Sequence, residues 1–251
     1  MVSLKKRERK TRRKKKSLLG KLIAFIGIIA GIILIASTSY FNVKNFEITG
    51  NSYYSDEEIT VMGNCKTGEN IFWGINLGEI EDRLQKDAYM ADVKIKRILP
   101  NTVSVELDER KQVAAVVYGQ HYVVIDNDGI VLRNTEVDPK VTHIHGLTIS
   151  KIEVGQAIEV EEKVKLRQTL EMLSIMESKD MYFVKIEMTD SGVNAYVLEN
   201  LLCKGTPQNI MEAMKTQNLQ KTVAELFKLK IERGTINISG GEYISFNPSL
   251  T

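Results

Sequence analysis

Twenty consecutive residues without a charge, 22–41 (LIAFIGIIAGIILIASTSYF), constrain this chain more than any other feature. As an α-helix they would span about 30 Å, which is the hydrocarbon thickness of a bilayer. Lys21 bounds the stretch on one side, and Tyr40 and Phe41 close it with rings of the kind found at membrane interfaces. The stretch therefore predicts a single transmembrane helix.

The distribution of charge predicts how this helix is oriented. Residues 1–21 carry 11 Lys or Arg and one acid, a net charge of +10, whereas residues 22–251 carry 23 basic and 31 acidic residues, a net charge of −8. The positive-inside rule places the basic tail in the cytoplasm and residues 42–251 outside, a type II single-pass topology. Attraction of the tail to anionic lipid is worth about 1 kcal/mol per basic residue. The acidic body excludes a uniformly basic surface for nucleic acid, so we expect no nucleic-acid partner.

A cleaved signal peptide is the alternative interpretation of the apolar stretch, because the small residues 36–39 follow it. The charged leader and the apolar run are both long for a signal peptide, and no clear Ala-x-Ala site follows. These lengths favour a retained membrane anchor.

Small residues form one stripe along the predicted helix. Gly20, Ala24, Gly27 and Gly31 are spaced four, three and four residues apart, and the last two form a GxxxG pattern. Such a stripe permits close approach of another membrane helix. Gly and Ala are also common in membrane helices generally, so background composition remains an alternative.

Residues 42–110 have the pattern of a small α+β domain. Ser55 with Glu58, and Asn76 with Glu79, each place a capping residue three positions before an acid, which is typical of a helix start. Alternating apolar residues predict one strand before these helices and two after them. The predicted order is β-α-α-β-β.

Residues 111–248 are strand-rich, and 249–251 form a short C-terminal end. The fold class predicted for the whole chain is α+β, with one transmembrane helix and two outer domains. Apolar periodicity in the second domain predicts strands at 122–125, 130–132, 182–188, 193–198, 235–239 and 243–246, and helical regions at 164–176 and 207–230.

Residues able to bind metal or carry out catalysis do not assemble into a recognisable site. The turn 126–129 (DNDG) has the opening of a calcium loop but not its further ligands, and His143 and His145 would share one face of a strand without a third ligand. Cys65 and Cys203 are too few for a four-cysteine zinc site, and either a bridge between domains or two free thiols is possible. There is no Gly-x-Ser-x-Gly, no His-Glu-x-x-His and no phosphate loop. We expect no cofactor, no metal and no enzymatic activity.

Seven short segments occur in a defined order: 43–51 (VKNFEITGN), 55–59, 68–72 (GENIF), 80–84, 93–97, 99–100 and 105–110 (VELDER). In this order they resemble a POTRA domain of the FtsQ type, and the whole chain resembles the FtsQ/DivIB family of cell-division proteins. Lys111 and Gln112 depart from the family pattern at the domain junction. The β-domain of the family is similar to residues 124–131, 146–147, the helix after them and 236–239.

The resemblance implies a bitopic scaffold of the bacterial division machinery, enriched at the septum. Its implied partners are FtsL-like and FtsB/DivIC-like bitopic proteins, bound outside the membrane. The alternatives are a wall-processing enzyme or its activator, and a POTRA module of a translocation or assembly system.

The final predicted strand is the candidate partner-binding segment. It contains neither charge nor proline, and a final strand often lies at a sheet edge, where its free backbone groups can pair with another strand. The resemblance also implies partner binding at Tyr243, Ile244, Ser245 and Phe246. We expect proline at Ser245 to remove an edge donor. In the alternative interpretation Ile244 faces the core, and Tyr243 and Phe246 only cover it.

Overall fold

The computed structural model describes residues 4–240 and 243–248, with side chains described from Leu18 onward. The predicted C-terminal end, 249–251, lies outside the described residues. The fold is α+β, as predicted. It contains two compact units: the first comprises residues up to Leu84 and Asp92–Leu107, and the second comprises Gln85–Ala91 and the residues from Asp108 onward.

The first element is a long helix, α1 (Leu4–Ala36). Its segment Leu18–Ala36 has a mean hydropathy of 2.7 and is the one helix in the described part of the chain that is long and apolar enough to cross a membrane. At 1.5 Å per residue the segment spans about 28 Å, close to the hydrocarbon thickness. This length fits a single-pass membrane protein.

The helix ends at Ala36, so the predicted range of 22–41 is too long at its C-terminal side. Ser37 Oγ donates a hydrogen bond to the carbonyl of Ile33 at 2.8 Å, and Thr38 Oγ1 donates to that of Ile35 at 2.8 Å. Hydroxyls that bond to the preceding turn compete with the continuing helix. The chain then forms a short 3-10 turn at Ser39–Phe41.

The rest of the first unit has the predicted β-α-α-β-β order. Its sheet has the order β1-β3-β2, with β1 parallel to β3 and Asn45 opposite Thr102. The elements are β1 (Asn45–Thr49), α2 (Asp56–Gly63), α3 (Leu77–Leu84), β2 (Met90–Ile98) and β3 (Thr102–Glu109).

Both predicted helix starts are confirmed by their hydrogen bonds. Glu58 N–H donates to Ser55 Oγ at 3.3 Å, and Ser55 N–H donates to Glu58 Oε2 at 2.8 Å, which completes a capping box. Glu79 N–H likewise donates to Asn76 Oδ1 at 3.4 Å. The two helices contribute the buried residues Ile59, Ile80 and Leu84 to the core of the unit.

The second unit is built on one nine-stranded sheet of order β14-β13-β12-β11-β10-β7-β4-β5-β6, with β8 and β9 in a separate pair. Its strands are β4 (Ala114–Tyr118), β5 (His121–Ile125), β6 (Val131–Thr135), β7 (Thr142–His145), β8 (Ile149–Lys151), β9 (Glu159–Val160), β10 (Lys185–Thr189), β11 (Gly192–Leu198), β12 (Leu201–Gly205), β13 (Gly234–Ile238) and β14 (Ile244–Asn247); its helices are α4 (Lys163–Ser174), α5 (Pro207–Lys215) and α6 (Asn218–Lys228).

One continuous row of inward side chains links eight strands of this sheet through their paired residues. Apolar residues of α4, α5 and α6 join the same core cluster, so the helices cover this face. Residues that alternate with this row, such as His143, Lys185 and Glu187, lie on the other face. The row is Val123, Val116, Ile144, Ile186, Ala195, Cys203, Ile236 and Phe246.

The predicted helical region 207–230 is two helices. Thr206 caps the first, because its hydroxyl accepts a hydrogen bond from Asn209 N–H at 3.2 Å. Gln217 adopts a left-handed conformation (φ 61°), which separates α5 from α6. A left-handed residue interrupts the regular i to i−4 ladder, so the second helix starts in a new direction.

Candidate functional site

The predicted partner-binding residues lie at one edge of the nine-stranded sheet. Strand β14 pairs antiparallel with β13, with Ile244 opposite Ile238 and Phe246 opposite Ile236, and among the described strands it has no second neighbour. Tyr243 immediately precedes the strand. The expected edge position of the final strand is therefore found in the structure.

The four side chains divide between two faces of the sheet. Ile244 and Phe246 are partly buried and pack against the core, whereas Ser245 is exposed and Tyr243 is 78% exposed. The Phe246 ring lies beside Gly234, where an added Cβ would stand 2.5 Å from Cε2 of the ring. Phe246 thus faces inward, and Tyr243 is the aromatic side chain available to a partner.

The backbone groups of β14 point alternately toward β13 and away from it. The turn before the strand determines which residues point which way. Ser239 N–H donates to the Tyr243 carbonyl at 3.1 Å. Bonded and non-bonded pairs alternate in an antiparallel ladder, so Ser245 is in a bonded pair with Asn237. The backbone groups of Ile244 and Phe246 then point away from the sheet. Proline at Ser245 would therefore break a bond inside the sheet, and the expectation that it removes an edge donor is wrong.

The two edges of the sheet differ in how they are covered. At the β6 edge, Val131 N–H donates to the Gln156 carbonyl at 2.9 Å, and Gly155 N–H donates to the Val131 carbonyl at 2.8 Å. Within residues 4–240 and 243–248, no backbone group bonds to the outer side of β14. Pro248 has no N–H and limits the free edge at its C-terminal end. The free backbone groups of β14 are thus those of Ile244 and Phe246.

A polar cluster lies on the sheet face opposite the helices. Tyr196 O–H donates to Glu187 Oε2 at 2.7 Å, Lys185 Nζ donates to Glu187 Oε1 at 2.8 Å, and Lys185 Nζ lies 4.0 Å from the centroid of the Tyr196 ring. Burial, followed by the hydrogen bond to Glu187, raises the pKa of Tyr196 to about 12, and the Lys185 hydrogen bond lowers the pKa of Glu187. These groups satisfy one another, which indicates a structural cluster.

His143 and His145 lie on the same polar face, as predicted. His143 Nε2 is 3.1 Å from Asp138 Oδ1, and its ring is tilted by 38° against the Tyr122 ring at a centroid distance of 5.0 Å. Burial, with the nearby Lys185 charge, lowers the pKa of His145. In the described part of the chain, no group of three or more His, Cys, Asp or Glu is placed to hold a metal ion.

The 126–129 turn is ordered by its own hydrogen bonds. Asp126 Oδ1 accepts from the N–H groups of Asp128 at 2.9 Å and Ile130 at 2.8 Å, and Asp126 Oδ2 accepts from Arg110 Nη1 at 2.7 Å. Both oxygens of this buried carboxylate are thus occupied by protein donors. The turn has the geometry of an Asx turn with a partly buried ion pair.

Cys65 and Cys203 are free thiols, one in each unit. Burial raises the pKa of Cys203 to about 12. Burial also raises the pKa of Cys65, because its effect is larger than that of the Arg83 charge, which lowers the pKa. Both side chains are therefore protonated at neutral pH, which makes them weak nucleophiles.

The small-residue stripe of α1 is uncovered. A Cβ built at Gly20, Gly27 or Gly31 would meet no heavy atom within 4 Å, and Ala24 lies on the same exposed helix. Space for a second helix is present along this stripe. Helix packing there remains a prediction.

Known proteins similar to this chain include one domain family and several cell division proteins. Residues 41–110 match the POTRA domain of the FtsQ type. The cell division protein DivIB of Clostridium acetobutylicum is 26% identical over 83% of this chain and 83% of its own length. DivIB of Bacillus subtilis is 23% identical over 78% and 73%, and the cell division protein FtsQ of Geotalea daltonii is 27% identical over 58% and 52%.

The fold thus defines a POTRA protein with an N-terminal apolar helix and a strand-rich α+β domain. Relatives named DivIB match between 78% and 92% of its length. Over most of its length the chain is similar to cell division proteins named DivIB, and its residues 41–110 match the FtsQ-type POTRA domain.

Proposed function

We propose that this division protein is a non-catalytic scaffold, anchored by α1, that binds other single-pass division proteins through its extracytoplasmic domains at the septum. The free edge of β14 supports this proposal most directly, because it offers unpaired backbone groups with no blocking charge or internal proline. The names of the relatives supply the biological setting, cell division.

The partner in this proposal is an extended segment of an FtsL-like or FtsB/DivIC-like bitopic protein. It adds to the sheet as a further strand by bonding to the backbones of Ile244 and Phe246. Tyr243 supplies an exposed ring beside the new strand, where aromatic side chains frequently act as binding anchors. The polar cluster around Glu187 needs no ligand in this arrangement.

A photo-crosslinking side chain in place of Tyr243, in the full-length protein in its native membrane, tests this proposal. We expect adducts with single-pass division proteins, identified by mass spectrometry. The matched control is the same side chain at Tyr118, which is also exposed but lies at the end of β4. Equal adducts at both positions, or turnover of wall polymer by the purified protein, would contradict the scaffold proposal.

The proposed orientation gives a direct prediction. A reporter that is active only in the cytoplasm should be silent when fused after Thr251 and active when fused before Met1, because the basic residues lie on the N-terminal side of α1. The measurement is reporter activity in whole cells. Activity of the C-terminal fusion would reverse the orientation.

The uncovered stripe of α1 gives a second prediction. Gly27→Ile should weaken association of the membrane helix without preventing insertion, because it adds bulk where close approach is needed and adds no charge. A membrane two-hybrid assay measures the association. Ile29→Leu, on the opposite face of the helix, is the control. Unchanged association in Gly27→Ile would leave the stripe as background composition.

A further inference from the structure

Large apolar side chains are exposed together at one end of the first unit. The members of this membrane-end patch are each between 37% and 61% exposed. They come from three separate segments: the 3-10 turn after α1, the loop before α3, and the end of β2 with the turn after it. The patch consists of Tyr40, Phe72, Trp73, Ile98 and Leu99.

Hydrogen bonds hold the loop of the patch against the end of α1. Asn70 Nδ2 donates to the Ala36 carbonyl at 2.8 Å, and Ile71 N–H donates to the Phe41 carbonyl at 2.9 Å. The Phe41 ring lies 5.4 Å from the Phe72 ring, which lies 5.7 Å from the Trp73 ring. The two exposed rings of the loop are therefore fixed beside the last residues of the helix.

The turn between β2 and β3 is held at the same end. Lys44 N–H donates to the Asn101 carbonyl at 2.8 Å, and Arg97 Nη2 donates to the Ile75 carbonyl at 3.3 Å. Strand β1 starts at this end and runs away from it, parallel to β3. Ile98 and Leu99 thus lie near the segment that connects α1 to β1, at the end of the unit where β1 begins.

The length of α1 places this end at the membrane surface. When Leu18–Ala36 fills the hydrocarbon layer, residues 37–41 lie in the headgroup layer, together with the patch bonded to them. Trp and Tyr rings are enriched in that layer because they are apolar with one polar group. Because the patch and the membrane helix belong to one chain, the bilayer is always within its reach.

We propose that the membrane-end patch is inserted in the interfacial layer of the bilayer, so that lipid binds the first unit at a second place besides α1. The lipid contact covers apolar rings that water would otherwise surround. The lipid contact also restricts the orientation of the first unit relative to the bilayer plane.

The sequence supplies an internal probe, because Trp73 is the only tryptophan of the chain. The full-length protein is reconstituted in vesicles of phosphatidylcholine and phosphatidylglycerol, with or without bromine atoms on the upper acyl chains of the phosphatidylcholine. We expect brominated lipid to remove roughly half or more of the Trp73 fluorescence, since the ring lies at the level of the interface. Acrylamide in the water should quench it weakly.

The matched control moves the tryptophan to the other end of β1, as Trp73→Phe with Tyr53→Trp. Tyr53 is exposed and follows a strand that extends about 16 Å from the patch end. We expect no loss with brominated lipid and strong quenching by acrylamide in this variant. Equal losses in the two proteins would indicate general adsorption and overturn the proposal.

Two further outcomes would also overturn it. The first is a Trp73 that acrylamide quenches freely and brominated lipid does not. The second is a Trp73 that neither acrylamide nor brominated lipid quenches, with a shielding that increases as the protein-to-lipid ratio is raised. This result would mean that a second copy of the protein covers the patch. A further variant tests the proposal from the apolar side chains beside the ring. Ile98→Ser with Leu99→Ser should increase acrylamide quenching of Trp73 in a protein that remains folded.

Discussion

Replacing Ile244 with proline is expected to weaken partner binding about ten- to a hundredfold, because it removes one N–H group from the free edge of β14. Proline is tolerated at an edge strand where its missing N–H would point outward. The Ile244 backbone points outward in the register with β13, so the bonds between the two strands remain. The affinity falls because the partner's carbonyl at this point has no N–H donor in the variant.

The control for this variant is Ile244→Ala, which loses the same core contact but keeps the N–H group. Affinity for the purified partner is measured for both full-length variants, alongside their thermal unfolding. We expect similar melting temperatures and a large difference in affinity. Equal affinities in two folded proteins would exclude the outward N–H of Ile244 from the interface.

The sequence predicted the identity of this edge strand but not which of its groups are free. The side-chain alternation of residues 243–246 can be read from those residues themselves. The same is true of the absence of charge and of internal proline. The outward direction of the Ile244 and Phe246 backbones depends on the bond from Ser239 to Tyr243, which the turn between β13 and β14 determines. A shift of one residue would exchange the bonded and the free positions.

Two strands of the large sheet were not predicted for a related reason. Strand β4 (AAVVY) is buried on both faces at its start, so its sequence has no alternation, and it pairs in parallel with the distant β7. Strand β12 (LLCKG) pairs in parallel with β13 across α5 and α6. Such pairings join segments far apart in sequence, whereas helix caps such as Ser55 with Glu58 involve neighbours and were predicted correctly.

Of the membrane-end patch, the sequence indicated only Tyr40 as an interfacial residue. Phe72 and Trp73 are two adjacent aromatic residues in a loop, and such residues are common in protein cores. Their position became informative only through the bond from Asn70 to Ala36, which spans 34 residues of chain. Sequence patterns describe local structure well, and this contact is not local.

Gly50→Ala is expected to destabilise the first unit by about 4 kcal/mol or more, which few single substitutions reach. Gly50 has φ +88°, and an added Cβ would lie 1.9 Å from the carbonyl oxygen of Leu107 in β3. Backbone atoms of a paired strand cannot move aside as a flexible side chain can. The substitution therefore forces β1 and β3 apart at the end of their ladder.

Gly68→Ala is the matched control, because it separates the clash from the backbone strain. Gly68 has a similar φ of +91°, but a Cβ there would meet no heavy atom within 4 Å. We expect this variant to lose only about 1–2 kcal/mol, the cost of a left-handed backbone for an L residue. Denaturant unfolding of the full-length protein in lipid discs, followed by the fluorescence of Trp73, measures both variants in the unit they share. Equal losses would mean that the contact between Gly50 and Leu107 contributes nothing beyond strain, and that the end of β1 can separate from β3 without cost.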